Sequence, residues 1–570
     1  MPTEIVAKQF ARIAGIVQNI DDKPVSKNHV KLILGTAELF LNGFKHAPDI
    51  FVAQSVLFKT KHSYVENLTF NTLMFCALLC NRNKINDLCC QQMLSSILTL
   101  YAERQSAINI WALQQQKPQK PLINTGLRQL LKTANMEVWR HGYDLVGYVF
   151  ADISTLKRWP KTLNRVQRII LFSHLLSVSL TYRKNNKLTP FHVALKALIQ
   201  VSPQQWTEDL EGLLEYPGEL LPGSVVRSSN NQPNIVLATS ENKLLVSPLD
   251  KETQQPAPLQ RIYPANVVKT HGAQSIGGFK QIHTWWGDDY QQEHSDFDDP
   301  KVDTFPLDKP PKVLLEVQKH LNTGQVDIDK LAEQISAEPA FSEYLKQTAT
   351  LTNRNKLPVQ QVKHGLMMHG YLRANNLLIE QALLLRLNQS YFPLQQDFTQ
   401  FTRLAAQIAF NLAALNKQIT PEQASNLVCF ACSGLFTQQA LKTRTNWRID
   451  QENQFSITSL FQFNQSTNLK KHAITLCQTW QQPKLFVDAI EHHHELPLEN
   501  SQKALAKIIS VILGLSLCGA RLVFFGENSV CRRTNEYQQQ GCELLNINER
   551  DYLEDTRQSV ELCHTYRHIG

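Results

Sequence analysis

The sequence predicts a mainly α chain folded as two helical domains, the first closed by a small β-meander. Three observations carry this. The chain has 570 residues, beyond the roughly 250 to 300 at which one hydrophobic core stops growing. Apolar residues recur at helical spacing up to about residue 220 and again from Val313 nearly to the end. Between these stretches lie short runs of branched residues separated by turn signals.

In the first domain, 1–270, Phe70, Leu73, Met74, Ala77 and Leu78 share one helical face, and Val166, Ile169, Ile170, Leu176 and Leu180 another. The Gln-rich, Pro-containing stretch 114–121 joins two of its helices. At about 222–268 the pattern becomes strands at 224–227, 234–238 and 243–246, with Asn230-Asn231-Gln232-Pro233 and Glu241-Asn242 as turns. Residues 271–311 have no sustained periodicity. They hold Gly277-Gly278, Trp285-Trp286, acids at Asp288, Asp289, Asp296, Asp298 and Asp299, and Pro310-Pro311, which reads as a linker. The Trp pair has two readings, a docking point for a partner or a fold-back onto the first domain.

The second domain, 312–570, reads as all-α. Leu404, Ile408, Leu412 and Leu415 share one face; Val487 and Ile490 share another with His494, which is expected to point inward. The most apolar stretch, 508–520, lies between Lys507 and Arg521 and is shorter than the ~20 residues of a membrane span. It reads as a buried helix, and no membrane insertion is expected. The N-terminal 15 residues include Glu4, Lys8 and Arg12 and lack a signal-peptide core; the expected location is the cytoplasm.

Composition excludes more than it assigns. With 43% apolar residues, 22 Gly and 25 Pro, the chain is neither collagen-like nor wholly disordered. A net charge of +8 without a basic stripe gives no reason to expect nucleic acid as a partner. The 11 cysteines form no framework. Cys76, Cys80, Cys89 and Cys90 read as small buried hydrophobes, and Cys429-Phe430-Ala431-Cys432 as part of a core helix, not a redox motif.

Ala77-Leu78-Leu79-Cys80-Asn81-Arg82-Asn83-Lys84 resembles the metal-binding signature of HD-type phosphohydrolases, with the His-Asp pair replaced. It follows His62-Ser63, like the H-S pair that opens a helix in the HD-GYP branch of cyclic di-GMP phosphodiesterases, and precedes His141. Arg168-Ile169-Ile170-Leu171-Phe172-Ser173-His174 with Thr181-Tyr182-Arg183, then Leu188-Thr189-Pro190, then Tyr216-Pro217 and Pro222-Gly223-Ser224-Val225-Val226-Arg227, continue the resemblance in order. His174 stands at the branch's metal-binding Asp. The family's chemistry uses two or three metal ions to activate a water. Here Asn81 has no charge with which to bridge two hard cations, and 151–161 contains no histidine. The resemblance therefore implies a degenerate HD-GYP-like domain. The candidate metal ligands are His62, Cys80, His141 and His174; Lys84 and Arg183 are the candidate nucleotide-binding residues.

The second domain resembles the HDOD domain, a catalytically dead relative of the HD fold found in bacterial signalling proteins. Leu331-Ala332-Glu333-Gln334-Ile335-Ser336-Ala337-Glu338-Pro339-Ala340-Phe341-Ser342 carries the likeness first, and Gly370-Tyr371-Leu372-Arg373 continues it. His472-Ala473, Trp480, Pro483 and the run Ala489-Ile490-Glu491-His492-His493-His494 complete it. His472, Trp480, His493 and His494 are its motif positions. Where active relatives carry His-Asp, this chain has Thr437-Gln438. The histidine triplet is not a metal site by spacing, because consecutive helical residues point about 100° apart. The two resemblances together imply a catalytically inactive bacterial signalling or scaffold protein that binds other signalling proteins and needs no cofactor. The alternatives are a cyclic di-GMP or other nucleotide receptor without hydrolysis, and a residual hydrolase with a single divalent metal. The oligomeric state is not legible.

Overall fold

In the computed structural model, the described residues are 2–114, 123–153, 159, 162–183, 189–228, 232–240, 243–249, 260–262, 267–269, 274–276, 280–287, 305–323, 327–353, 357–462, 469–526 and 531–563. Most of the connection 114–121, Asn230-Asn231 of the first meander turn, the second turn Glu241-Asn242, Gly277-Gly278 and the acidic run from Asp288 to Asp299 lie outside them. Two compact units emerge. The first comprises Met1–Asp303 with Tyr391–Pro393 and Thr443–Thr445, and the second Thr304–Ser390, Leu394–Lys442 and Asn446–Gly570.

The first unit's helices are α1 (Pro2–Ile20), α2 (Lys27–His46), α3 (Pro48–Ala53), α4 (Tyr64–Arg82), α5 (Asp87–Ala102), α6 (Gln105–Gln114), α7 (Thr125–Thr133), α8 (Glu137–Tyr143), α9 (Arg165–Leu180), α10 (Phe191–Val201) and α11 (Glu208–Glu215). Several begin at a side-chain cap. Ser63, Asn86, Asn124 and Asn164 accept the N–H of Glu66, Leu88, Leu127 and Gln167, which satisfies donors that a helix start leaves without partners. At α4 the cap is reciprocal, because the Glu66 carboxylate accepts the Ser63 N–H at 3.1 Å. From Val65 to Cys80 every residue of α4 is buried, so this helix is the unit's central post, with α5 and α9 packed against it.

The meander is wider than the three strands the sequence suggests. Strands β2 (Val225–Ser228), β3 (Pro233–Ser240), β4 (Lys243–Pro248), β5 (Gln260–Ile262) and β6 (Val267–Lys269) form one antiparallel sheet in the order β5-β4-β3-β2-β6. β1 (Leu57–Lys59) pairs in parallel with β7 (Gln274–Ile276). Val226, Val236, Leu244 and Val246 make a small apolar core beneath the larger sheet. Gly223, at φ +86°, leads into β2 where an added Cβ would lie 2.8 Å from the Ala53 carbonyl oxygen, so only glycine fits.

The expected linker is only partly one. Residues 280–285 form α12 (Lys280–Trp285), and Trp285 and Trp286 are buried. The Trp286 indole donates to the Leu237 carbonyl of β3 at 3.0 Å. Of the two readings of the Trp pair, the structure takes the fold-back, because two indoles on a short helix find apolar cover against the sheet.

The second unit is all-α among its described residues: α13 (Lys312–Thr323), α14 (Ile328–Ser336), α15 (Pro339–Thr352), α16 (Val362–His369), α17 (Tyr371–Leu387), α18 (Gln395–Asn416), α19 (Pro421–Thr437), α20 (Leu469–Thr479), α21 (Lys484–His492), α22 (Ala504–Phe525), α23 (Arg532–Leu545) and α24 (Glu549–Leu562). Asp327, Thr420 and Asn548 cap α14, α19 and α24. Cys429 and Cys432 are wholly buried in α19, which fits the core-helix reading. α22 is longer than the stretch 508–520. Its 22 residues would suffice by length and composition to cross a membrane, yet it is mostly buried in the unit, packed against α18 and α21.

Candidate functional site

His174, on α9, lies at the centre of the first unit. Its Nε2 is 3.1 Å from the Ala151 carbonyl oxygen and its Nδ1 is 2.6 Å from the Tyr101 hydroxyl. A carbonyl only accepts, so Nε2 carries the proton, and Nδ1 accepts from Tyr101. The Tyr101 hydroxyl is also 3.0 Å from Thr72 Oγ1 on α4. Burial pushes the imidazole down to about 4 and the Tyr101 phenol above its ordinary value, so both groups stay neutral at pH 7. A small, nearly apolar cavity adjoins them, lined by Thr72, Ile97, Tyr101, Leu145, Ile170 and His174 among others.

The other candidate ligands stand elsewhere, each with its own partner. Cys80, at the C-terminal end of α4, points inward, with Sγ 3.7 Å from the Met93 sulfur. Burial, then the neighbouring Cys76 and Cys90, push its thiol well up. His62 precedes the N-terminus of α4 and lies 2.9 Å from Glu66 Oε2. His141 Nε2 lies 3.0 Å from Thr445 Oγ1; burial, then Arg140, lower its pKa. The four candidate ligands His62, Cys80, His141 and His174 thus each have a different partner. Among the described residues, no group of three or more His, Cys, Asp or Glu side chains is arranged to hold a metal ion.

Lys84 and Arg183 separate as well. Lys84 is exposed in the left-handed turn after α4 (φ +53°). Arg183 donates to the Tyr64 hydroxyl at 2.9 Å, at the other end of the helix, and stacks 4.1 Å from the Trp111 ring centroid. A helix of 19 residues at ~1.5 Å per residue holds its two ends roughly 28 Å apart.

Sequence reasoning missed the ion cluster beside these positions. Asp209, on α11, is fully buried; its two oxygens accept from Arg165 Nε at 2.7 Å and Arg168 Nε at 2.8 Å. Asn83 joins it, donating to the Asp209 carbonyl and accepting from Arg165 Nη2, each at 2.9 Å. The partners lie over 40 residues apart in the chain, so no local pattern announces them.

At the end of α21 in the second unit the buried histidine is His493, not His494. The inward face of α21 is Phe486, Ala489 and Ile490, and His493 extends it, whereas His494 is exposed and Val487 only half-buried. The expected face is therefore one residue out of phase. The bulkier Phe486 at i−4 from Ile490 was the available signal. His493 Nδ1 donates to the Ile490 carbonyl at 2.8 Å, and Nε2 accepts the Ile457 N–H at 2.9 Å. Burial pushes its pKa down to about 3. His492 pairs with Glu495 at 2.9 Å, and His472 is exposed. Trp480 is buried, edge-on to Phe430 at 5.8 Å between ring centroids, and its indole donates to the Leu307 carbonyl at 2.9 Å. Thr437, at the end of α19, turns its hydroxyl back to the Ser433 carbonyl at 3.2 Å.

Residues 307–496 match the HDOD domain family; α22 to α24 lie beyond the matched segment. No curated protein matches the chain. Among solved structures, an HDOD domain protein of unknown function from Geobacter sulfurreducens is similar at 15% identity, over 46% of this chain and 91% of its own, with a TM-score of 0.34. The MmoQ response regulator from Methylococcus capsulatus str. Bath is similar at 14% identity, over 45% of this chain and 98% of its own, with a TM-score of 0.25.

Proposed function

We propose, from the HDOD domain that residues 307–496 form, that this chain is a catalytically inactive signalling scaffold of a bacterial cytoplasm, acting through protein–protein contacts. The carrying observation is that the two most deeply buried histidines, His174 and His493, are already engaged by the protein on both nitrogens, whereas His369 meets Thr348 with Nε2 alone. His174 and His493 have both ring nitrogens bonded to tyrosine, amide or carbonyl partners. Metal-assisted hydrolysis needs imidazole or carboxylate ligands with lone pairs turned to one open point. Thr437 and Gln438 supply no metal-bridging carboxylate.

The finer reading is that the first unit is a degenerate HD-GYP-like domain. It is supported by Ser63 capping α4, by α4 and α9 packing together with the Cys80 and His174 segments on them, and by Gly223 leading into β2. On this reading Tyr101 replaces the metal as the partner of the histidine at the position of the ligating aspartate. The receptor alternative has less support, since Lys84 and Arg183 stand at opposite ends of α4.

The test is turnover and binding of cyclic di-GMP by the purified full chain, with Mn, Fe or Mg added. The expected result is no turnover and no heat of binding at tens of micromolar. Turnover that disappears in His174→Ala would overturn the scaffold reading in favour of a hydrolase. Heat without turnover would favour a receptor.

A further inference from the structure

The ion cluster around Asp209 holds more positive charge than its carboxylate balances. Arg165 and Arg168 lie three residues apart at the start of α9, so their side chains share a face. Both Nε groups donate to the same buried carboxylate, Arg165 to Oδ1 at 2.7 Å and Arg168 to Oδ2 at 2.8 Å. One anion therefore serves two cations. Arg82 and Glu215, another ion pair on α11, balance each other. Glu208 and Glu211 are exposed, and among the described residues they pair with neither arginine. Cations at the start of a helix also stand against its macrodipole, and the first turn of α9 has no acidic residue to offset them.

The guanidinium groups are held in place while their outer edges stay unused. Arg165 stacks on the ring of Tyr391, which belongs to the first unit, with its central carbon 4.7 Å from the centroid, and Arg168 stacks on Trp206 at 5.5 Å. Such stacking fixes the planar fork. Arg165 Nη2 donates to Asn83 Oδ1 at 2.9 Å. Among the described residues, Arg165 Nη1 and both Nη atoms of Arg168 have no hydrogen-bond partner. The two side chains are 26% and 15% exposed, so solvent reaches them. Because both Nε atoms touch one carboxylate, they lie within about 8 Å of each other, a span that one phosphate bridges through two N–H···O bonds of about 2.9 Å. Lys84 is exposed, follows Asn83 in the chain and accepts the Tyr391 N–H at its carbonyl, which brings a third cation near.

We propose that Arg165 and Arg168 form a phosphate-binding site, their outer nitrogens bridging two oxygens of one phosphate dianion. The ligand class is a doubly charged phosphate, free or at the end of a small phosphomonoester. Guanidinium suits it, because parallel N–H groups match two oxygens of the anion. A dianion also supplies the negative charge that Asp209 alone does not. The site is independent of the scaffold reading and of cyclic di-GMP, whose phosphates are singly charged diesters.

Calorimetry of the purified full chain tests this, with inorganic phosphate and with guanosine 5′-monophosphate at constant ionic strength in chloride. The expected result is saturable binding of at least one of the two, with a Kd of about 1 mM. Nucleotide binding is weaker at pH 5 than at pH 8, since a phosphomonoester loses its second proton at about pH 6. Tighter binding of phosphate identifies the free ion as the ligand, and tighter binding of the nucleotide identifies the monoester. Phenylglyoxal labelling read by mass spectrometry places the anion. The bound ligand protects Arg165 and Arg168 and leaves Arg128, which pairs with Asp144, unprotected. Arg168→Gln weakens binding about tenfold. That variant strands one oxygen of Asp209, so if it fails to fold, the labelling pattern of the unaltered chain decides. No binding beyond that of chloride, or protection only of arginines outside this pair, overturns the proposal.

Discussion

His174 in the first unit and His493 in the second are both buried and both neutral at pH 7, yet they are held by different kinds of partner. One nitrogen of His174 is reached by side chains from two helices, Tyr101 and behind it Thr72, the other by the Ala151 carbonyl, and a cavity adjoins the ring. His493 is clasped by backbone alone, a carbonyl of its own helix and an N–H of the 3-10 turn Ile457–Leu460. The difference teaches what each residue does for the fold. A histidine bonded to side chains can lose its partner by one substitution and keep its place; one that pins a loop cannot be removed without releasing the loop.

The largest expected effect that sharpens this comparison is acid sensitivity. A histidine whose folded pKa lies below its unfolded value of about 6.5 gives its full contribution above pH 6.5 and loses it as the pH falls toward the folded value. With His493 near 3, the window runs from 6.5 down to 3 and amounts to roughly 5 kcal/mol; with His174 near 4, it ends at 4 and amounts to roughly 3 kcal/mol. Hydrogen exchange followed by mass spectrometry from pH 7 to pH 3, corrected for the intrinsic rates, should show both regions losing protection alike down to about pH 4, with α21 and the 457–460 turn continuing to lose it below that while α9 levels off. The reverse order breaks the comparison.

Next comes His493→Ala, which leaves the Ile457 N–H and the Ile490 carbonyl without their side-chain partner and opens a cavity. A loss of about 3 kcal/mol is expected in urea unfolding, with faster exchange across 450–460. If the 450–460 segment keeps its protection, His493 is not the pin. The smallest effect is Tyr101→Phe, which removes one hydroxyl and leaves His174 Nδ1 without a donor. About 1.5 kcal/mol is expected, confined to exchange in α4, α5 and α9. A loss as large as that of His493→Ala would show that the two histidines are held alike after all.

Much of the fold was legible, because burial of a helix face writes itself into local spacing. The strands of the meander appeared where Val225, Val236 and Val246 stand between turn residues, though β5 and β6, three residues each, are too short to leave a pattern. The HDOD unit was legible from residues spaced along one strip of chain. The site was less so. Val487, Ile490 and His494 share a helical face as well as Phe486, Ile490 and His493 do, and only the neighbouring helices decide which face turns inward. The Trp285-Trp286 pair read equally as exposed or covered until the sheet supplied the Leu237 carbonyl.

The sequence by itself determined that the chain is mainly α and that its second half carries an HDOD domain. These follow from local spacing and residue identity, which need no partner. Tertiary structure alone decided that His62, His141 and His174 go to separate partners, that Asp209 gathers Arg165 and Arg168, and that Arg521 reaches Ser459 and Asp450. Except for His62 and Glu66, four residues apart, each of these joins residues tens of positions apart. Hydrogen bonds and ion pairs act over about 3 Å of space, whatever the distance along the chain.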